Sequence, residues 1–130
     1  MDQEPTAAEL AAQLTSLLRV SPLGDDRFEG SCAPAAASSG RDRVFGGQVI
    51  GQALAAAEAT VAEDRPVHSL HAYFLRMGDN ALPIAFDVER DLDGGSFSNR
   101  RVTASQTVDG ARRPILTLAA SFQKVEAGLE

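Results

Sequence analysis

Between residues 44 and 61 the chain reads VFGGQVIGQALAAAEATV, with apolar positions at Val49, Ile50, Ala53, Leu54, Ala57 and Val61. That spacing marks one face of a helix, and alanine is the strongest helix former. The pattern predicts a buried central helix of about four turns within residues 44–62. Gly47, Gly51 and Ala55 recur every fourth residue and leave one ridge nearly bare, so another backbone can come close. An isolated glycine in a helix costs about 0.5–1 kcal/mol relative to alanine, which gives Gly51 a packing reason to be there.

The flanking patterns supply the other elements. Thr6 with Glu9 three residues on is a capping-box signal, and Leu10, Leu14, Leu17 and Leu18 then line one face of an amphipathic helix ending near Arg19. Residues 21–25, SPLGD, read as a turn, residues 27–33 as a weak strand stopped by Pro34, and residues 35–41 as a loop. Residues 67–76, VHSLHAYFLR, are rich in aromatic and β-branched side chains and predict a strand. Neither of its faces is wholly polar, so both are expected to be partly covered.

After a loop at residues 77–83, residues 84–92 alternate with Ile84, Phe86 and Val88 inward and Asp87, Glu89 and Asp91 outward. Asp93-Gly94-Gly95-Ser96 and Asp109-Gly110 are hairpin signals. They bracket a strand over 97–108 and lead into a last one over 115–125. The expected order is helix, weak strand, long helix, then four strands in a meander. The compact solution is an α+β fold, a curved antiparallel sheet wrapped around one long central helix. One domain over 1–130 is expected: residues 1–20 as helix and lead-in, 44–62 as central helix and 67–125 as antiparallel strands.

Composition narrows the function classes. The net charge of −6 and pI near 4.8 argue against nucleic acid as a partner, so an anionic substrate must be met by local arginines. No apolar run reaches the length of a membrane span, and MDQEPTAAEL lacks the basic start and apolar run of a secretory leader. The single cysteine, Cys32, has no partner in the chain and reads as an inert strand or core residue. These features predict a cytoplasmic protein without a membrane partner.

Several motifs in order make a more specific likeness. They are Arg43-Val44-Phe45-Gly46-Gly47-Gln48-Val49-Ile50-Gly51-Gln52-Ala53, Val67-His68-Ser69-Leu70-His71-Ala72-Tyr73-Phe74-Leu75-Arg76, Gly95-Ser96-Phe97 with Arg100-Arg101-Val102, and Ala120-Ser121-Phe122-Gln123. Together they resemble the amino-terminal half of acyl-CoA thioesterase II, over roughly residues 10–130. Met77 stands where the family usually has proline. The resemblance implies the hotdog fold, hydrolysis of fatty acyl-CoA to free acid and CoA by direct water attack, and no cofactor. It also implies two fused hotdog domains, with the catalytic Asp, Ser or Thr, and Gln in the carboxy-terminal one. Activity is then expected to need a second hotdog domain or a homodimer partner. The alternatives are a catalytically silent half that contributes pocket walls and an interface, and a hotdog hydratase.

Candidate residues follow. Thioester hydrolysis needs an oriented water, a base and donors for the developing oxyanion. The start of the central helix, Phe45-Gly46-Gly47-Gln48, can present free N–H groups and the positive end of the helix dipole to a substrate oxygen. By resemblance Gln123 matches the catalytic Gln of the second repeat, and its amide can position a water. His71 lies in the segment matching the one that bears the catalytic Asp, and can act as a base near neutral pH. On a flat strand His68 faces away from His71, so no metal site is expected. Arg100, Arg101, Arg112 and Arg113 are candidates for coenzyme A phosphates, at most one of each adjacent pair being well placed.

Overall fold

The computed structural model describes residues 4, 6–30 and 46–125. Phe45, Cys32 and the predicted loop at 35–41 lie outside them. The described chain forms helix α1 (Ala7–Leu18), strands β1 (Val20–Gly24) and β2 (Arg27–Gly30), helix α2 (Gly46–Glu58), and strands β3 (Val67–Phe74), β4 (Ile84–Asp93), β5 (Phe97–Val108) and β6 (Ala111–Gln123). The strands make one curved antiparallel sheet in the order β1-β2-β4-β5-β6-β3, with α2 as its main helix. This is the expected α+β hotdog arrangement.

The capping box is present: the Glu9 N–H donates to Thr6 Oγ1 (3.1 Å), and the Thr6 N–H returns to Glu9 Oε2 (3.4 Å). On α2, Val49, Ala53, Ala56 and Ala57 are buried, together with Phe28, Ile84, Phe86, Val102, Leu116, Leu118 and Phe122 from the sheet. Small alanines on the sheet-facing side let the helix axis lie close to the strands. Gly51 has the packing reason its cost implied, because a Cβ there would collide with Leu18 of α1. The bare ridge is where the first helix crosses the second. Gly30 does the same for Gln52: an added Cβ would stand 2.8 Å from Gln52 Oε1 and 2.9 Å from the Phe86 ring.

Several expectations need correction: the last strand begins at Ala111 and not at residue 115, and β3 is exposed along most of both faces where partial cover was expected. Residues 21–25 are mostly strand, not turn: β1 pairs with β2, and the reversal is confined to Asp25 and Asp26, both with positive φ (55° and 58°). Pro22 misled because proline is tolerated on an edge strand, where it deprives no neighbour of a donor. The last four strands are not a meander either. β4, β5 and β6 are successive neighbours, but β3 joins the far side of β6, pairing Phe74 with Leu116 and Leu70 with Ala120. β3 is therefore an edge, with one row of backbone groups unpaired among the described residues.

One sheet face carries the core and α2; the other faces outward. Along β6 the residues Leu116, Leu118, Ala120 and Phe122 are buried, while Thr117, Ala119, Ser121 and Gln123 alternate outward. Asp87, Glu89 and Asp91 lie outward as expected, but they are paired. Asp87 meets Arg27 and Arg112, and Glu89 and Asp91 both meet Arg101.

Candidate active site

The amino-terminal end of α2 lies beside the carboxy-terminal end of β3. Gly46 opens the helix half-buried, Gly47 is exposed, and Gln48 is turned inward with 6% exposure. The first turn carries no acidic residue, so no side chain within it offsets the positive end of the dipole. Beside it is a cavity of about 300 Å³ lined by Gly46, Val49, Phe74, Leu75, Met77 and Ile115, with Arg76 and Gly78 completing the wall. Its lining is apolar apart from Arg76 and the glycine backbones. Phe74, Leu75 and Met77 are each at least half exposed, an unusual concentration of apolar side chains.

The loop that follows this wall is held from beneath by a buried glutamine. Gln106 Oε1 accepts the Asp79 N–H (2.9 Å), and Gln106 Nε2 donates to the carbonyls of Asp79 (2.7 Å) and Leu82 (3.1 Å). With 4% exposure, Gln106 fixes residues 79–82 and hence the path of the chain from β3 around the cavity. Nothing in its local sequence marked it, because its partners lie more than twenty residues away.

The remaining candidates fall elsewhere. Gln123 is half-buried on the outward face, opposite Phe97 in register. Eight residues of β6 separate it from Ile115 at the cavity, about 25 Å of strand. His71 is exposed on the same outward face, opposite Ala119. Gly46, Gly47 and Gln48 thus share the α2 end of the cavity side, whereas Gln123 and His71 lie on the opposite face of the sheet. Strand parity also misassigned His68. A bulge between Val67 and Ser69 brings it to the outward face, where its Nε2 meets Ser121 Oγ at 2.7 Å and its ring lies 5.7 Å from that of Phe97.

The arginines divide similarly. Arg100, a candidate for phosphate, is 1% exposed and points to the α2 side. It donates to Thr60 Oγ1 (2.7 Å), the carbonyls of Thr60 (3.0 Å), Leu92 (3.1 Å) and Asn99 (3.0 Å), and Asp93 Oδ1 (2.7 Å). It clamps the carboxy-terminal end of α2 to the β4–β5 hairpin, where a cation also suits the helix dipole. Its inward position between Ser98 and Val102 was the available sign of burial. Arg101 and Arg112 are engaged by carboxylates on the outward face. Hydrogen bonding to Arg100 holds the Asp93 carboxyl below its ordinary value, and hydrogen bonding to Arg90 does so for Asp26.

Comparison with known proteins gives the family. Residues 33–123 match the acyl-CoA thioesterase N-terminal domain family. The chain is 45% identical over 115 residues to human acyl-coenzyme A thioesterase 8, covering 87% of this chain and 33% of that protein. It is 40% identical over 123 residues to acyl-CoA thioesterase 2 of Haemophilus influenzae, covering 95% of this chain and 40% of the relative. Among solved structures, the tesB protein of Mycobacterium avium subs paratuberculosis superposes with a TM-score of 0.75 at 35% identity, covering 92% of this chain and 44% of that one. The chain spans less than half the length of each. By this match it belongs to the acyl-CoA thioesterase N-terminal domain family.

Proposed function

We propose that this chain is the amino-terminal half of an acyl-CoA thioester hydrolase, releasing free acid and CoA by water attack, with the activating groups supplied by a second hotdog domain or a second copy. The observation that carries the reading is the junction of a helix start whose first turn carries no acid with an apolar cavity, in a member of this family. The N–H groups of Gly46 and Gly47 are donors for the thioester oxygen. As the carbonyl becomes tetrahedral its charge grows, and fixed donors stabilise that charge more than the ground state. The exposed β3 edge is the place where a second sheet can continue this one. Gln123 and His71, on the outward face, are given no part in the reaction at α2.

The cytoplasmic setting belongs to the same proposal; its support is a single cysteine without a partner in the chain. No helix among the described residues is long and apolar enough to cross a membrane.

The test is removal of one donor. Gly47→Pro deletes a single N–H in a first turn, where proline is tolerated. In the chain assayed with a second hotdog domain, kcat should fall roughly a hundredfold with little change in KM or in melting temperature. Unchanged kcat would remove the donor role.

A further inference from the structure

The proposed reaction leaves the phosphates of the substrate without a place in the molecule, and the distribution of charge supplies one. Among the described residues most arginines are engaged. Arg27 and Arg112 meet Asp87, Arg90 meets Asp26, and Arg101 meets Asp91 and Glu89. Arg65 holds the carbonyls of Gly95 and Phe97, and Arg100 is buried in its clamp. Arg19, Arg76 and Arg113 have no such partner among the described residues; Arg19 follows α1, whereas the fold places Arg76 and Arg113 together at one end of the β3–β6 pair.

Arg76 is itself part of the cavity wall. The Leu75 N–H donates to the Ile115 carbonyl (2.9 Å), so the chain leaving β3 runs beside residues 113–115. Arg113 is opposite Gln106 in register and shares its side of the sheet, the side of α2 and the cavity. Both arginines are exposed. The nearest acid in the loop, Asp79, has its Oδ1 turned onto the Ala81 N–H of its own turn (2.8 Å). The outcome is a local cationic mouth on a protein of net charge −6, at the end of an apolar cavity that begins at Gly46.

We propose that this cavity takes the pantetheine arm of coenzyme A, and that Arg76 and Arg113 receive its phosphates. The inference rests on the thioesterase reading and adds a direction to it. The thioester lies at the start of α2, the arm runs past Val49, Ile115 and Met77, and the phosphates sit at the mouth. Guanidinium groups suit this task because their planar donors meet phosphate oxygens in pairs. Gln106 is a positioning residue in this scheme, since it holds the loop that follows Arg76.

The experiment is calorimetric titration of the chain with coenzyme A and with pantetheine, which lacks the phosphates. The proteins compared are wild type, Arg76→Gln, Arg113→Gln and, as a control, Arg101→Gln. Coenzyme A should bind more tightly than pantetheine to wild type, and the advantage should shrink with added salt. Arg76→Gln and Arg113→Gln should each weaken coenzyme A roughly tenfold while leaving pantetheine unchanged, a loss typical of one charge-assisted contact. Arg101→Gln should change neither. If wild type binds coenzyme A and Arg76→Gln and Arg113→Gln bind it equally well, the phosphate site is overturned and the thioesterase reading stands. If wild type binds neither ligand, the phosphate site is overturned, and the thioesterase reading is decided separately by turnover in the presence of a second hotdog domain. All three residues are exposed, so equal melting temperatures will show that the variants are folded.

Discussion

The ring of Phe74 lies directly over Gly46: a Cβ on that glycine would stand 3.0 Å from the ring's Cζ. One end of β3 thereby forms the wall against which α2 begins, and the absence of a side chain at residue 46 keeps the helix start open. Gly46→Val should push the ring out and weaken coenzyme A binding roughly tenfold, while Phe74→Ala alone should weaken it less. In the double variant the two changes should compensate, because the valine occupies space the ring has left. A double-variant cycle of dissociation constants checks this. Strictly additive losses would show that the two residues do not share one wall.

At the other end of α2, Arg100 is the largest fully buried side chain among the described residues. Its carboxylate partner, Asp93, is half exposed, so the ion pair itself contributes little. The larger effect is the stranding of the Thr60 and Leu92 carbonyls when the guanidinium is removed. Arg100→Met should therefore lower stability by about 3 kcal/mol, and Asp93→Asn by less than about 1 kcal/mol. Arg100→Lys should not rescue, since an ammonium cannot reach this set of acceptors together. Urea unfolding of the three variants measures each figure.

Acid should act through two carboxylates. Asp26 and Asp93 are held below the ordinary aspartate value of 3.8 by hydrogen bonds from Arg90 and Arg100 respectively. In the unfolded chain they bind protons first. Their contribution is thus present above the unfolded value and is lost as pH falls through the lowered folded value. Stability should start to decline below about pH 4. Asp26→Asn combined with Asp93→Asn should flatten that part of the curve, and a profile of unchanged steepness would contradict the assignment.

Much of the fold was legible in local pattern. Strand β5 has the predicted bounds because inward and outward positions alternate between two glycine-containing turns. α2 was marked by its spacing and by glycines whose cost called for a neighbour. What could not be read depends on distant partners. Strand β3 looks like any apolar strand, and nothing local says that it pairs with β6 and not with β4. The bulge that turns His68 outward follows from that pairing, so alternation alone misplaced it. At the proposed site, the glycines of α2 were visible in the sequence as candidate donors, but the Phe74 wall and the Gln106 clamp exist only once β3 lies beside α2. Arg100 shows the converse: its inward position was readable, and its charge drew attention to the surface instead.

A domain that supplies one half of a thioesterase site, as proposed, should be silent alone. Release of free thiol from a series of fatty acyl-CoAs tests it most directly, with the chain assayed alone as a monomer and again with a carboxy-terminal hotdog domain of a two-domain relative. The monomer should give no turnover, and addition of the second domain should give turnover that is lost again with Gly47→Pro. Full turnover by the isolated monomer, or none in the assembled pair, would contradict the half-site proposal.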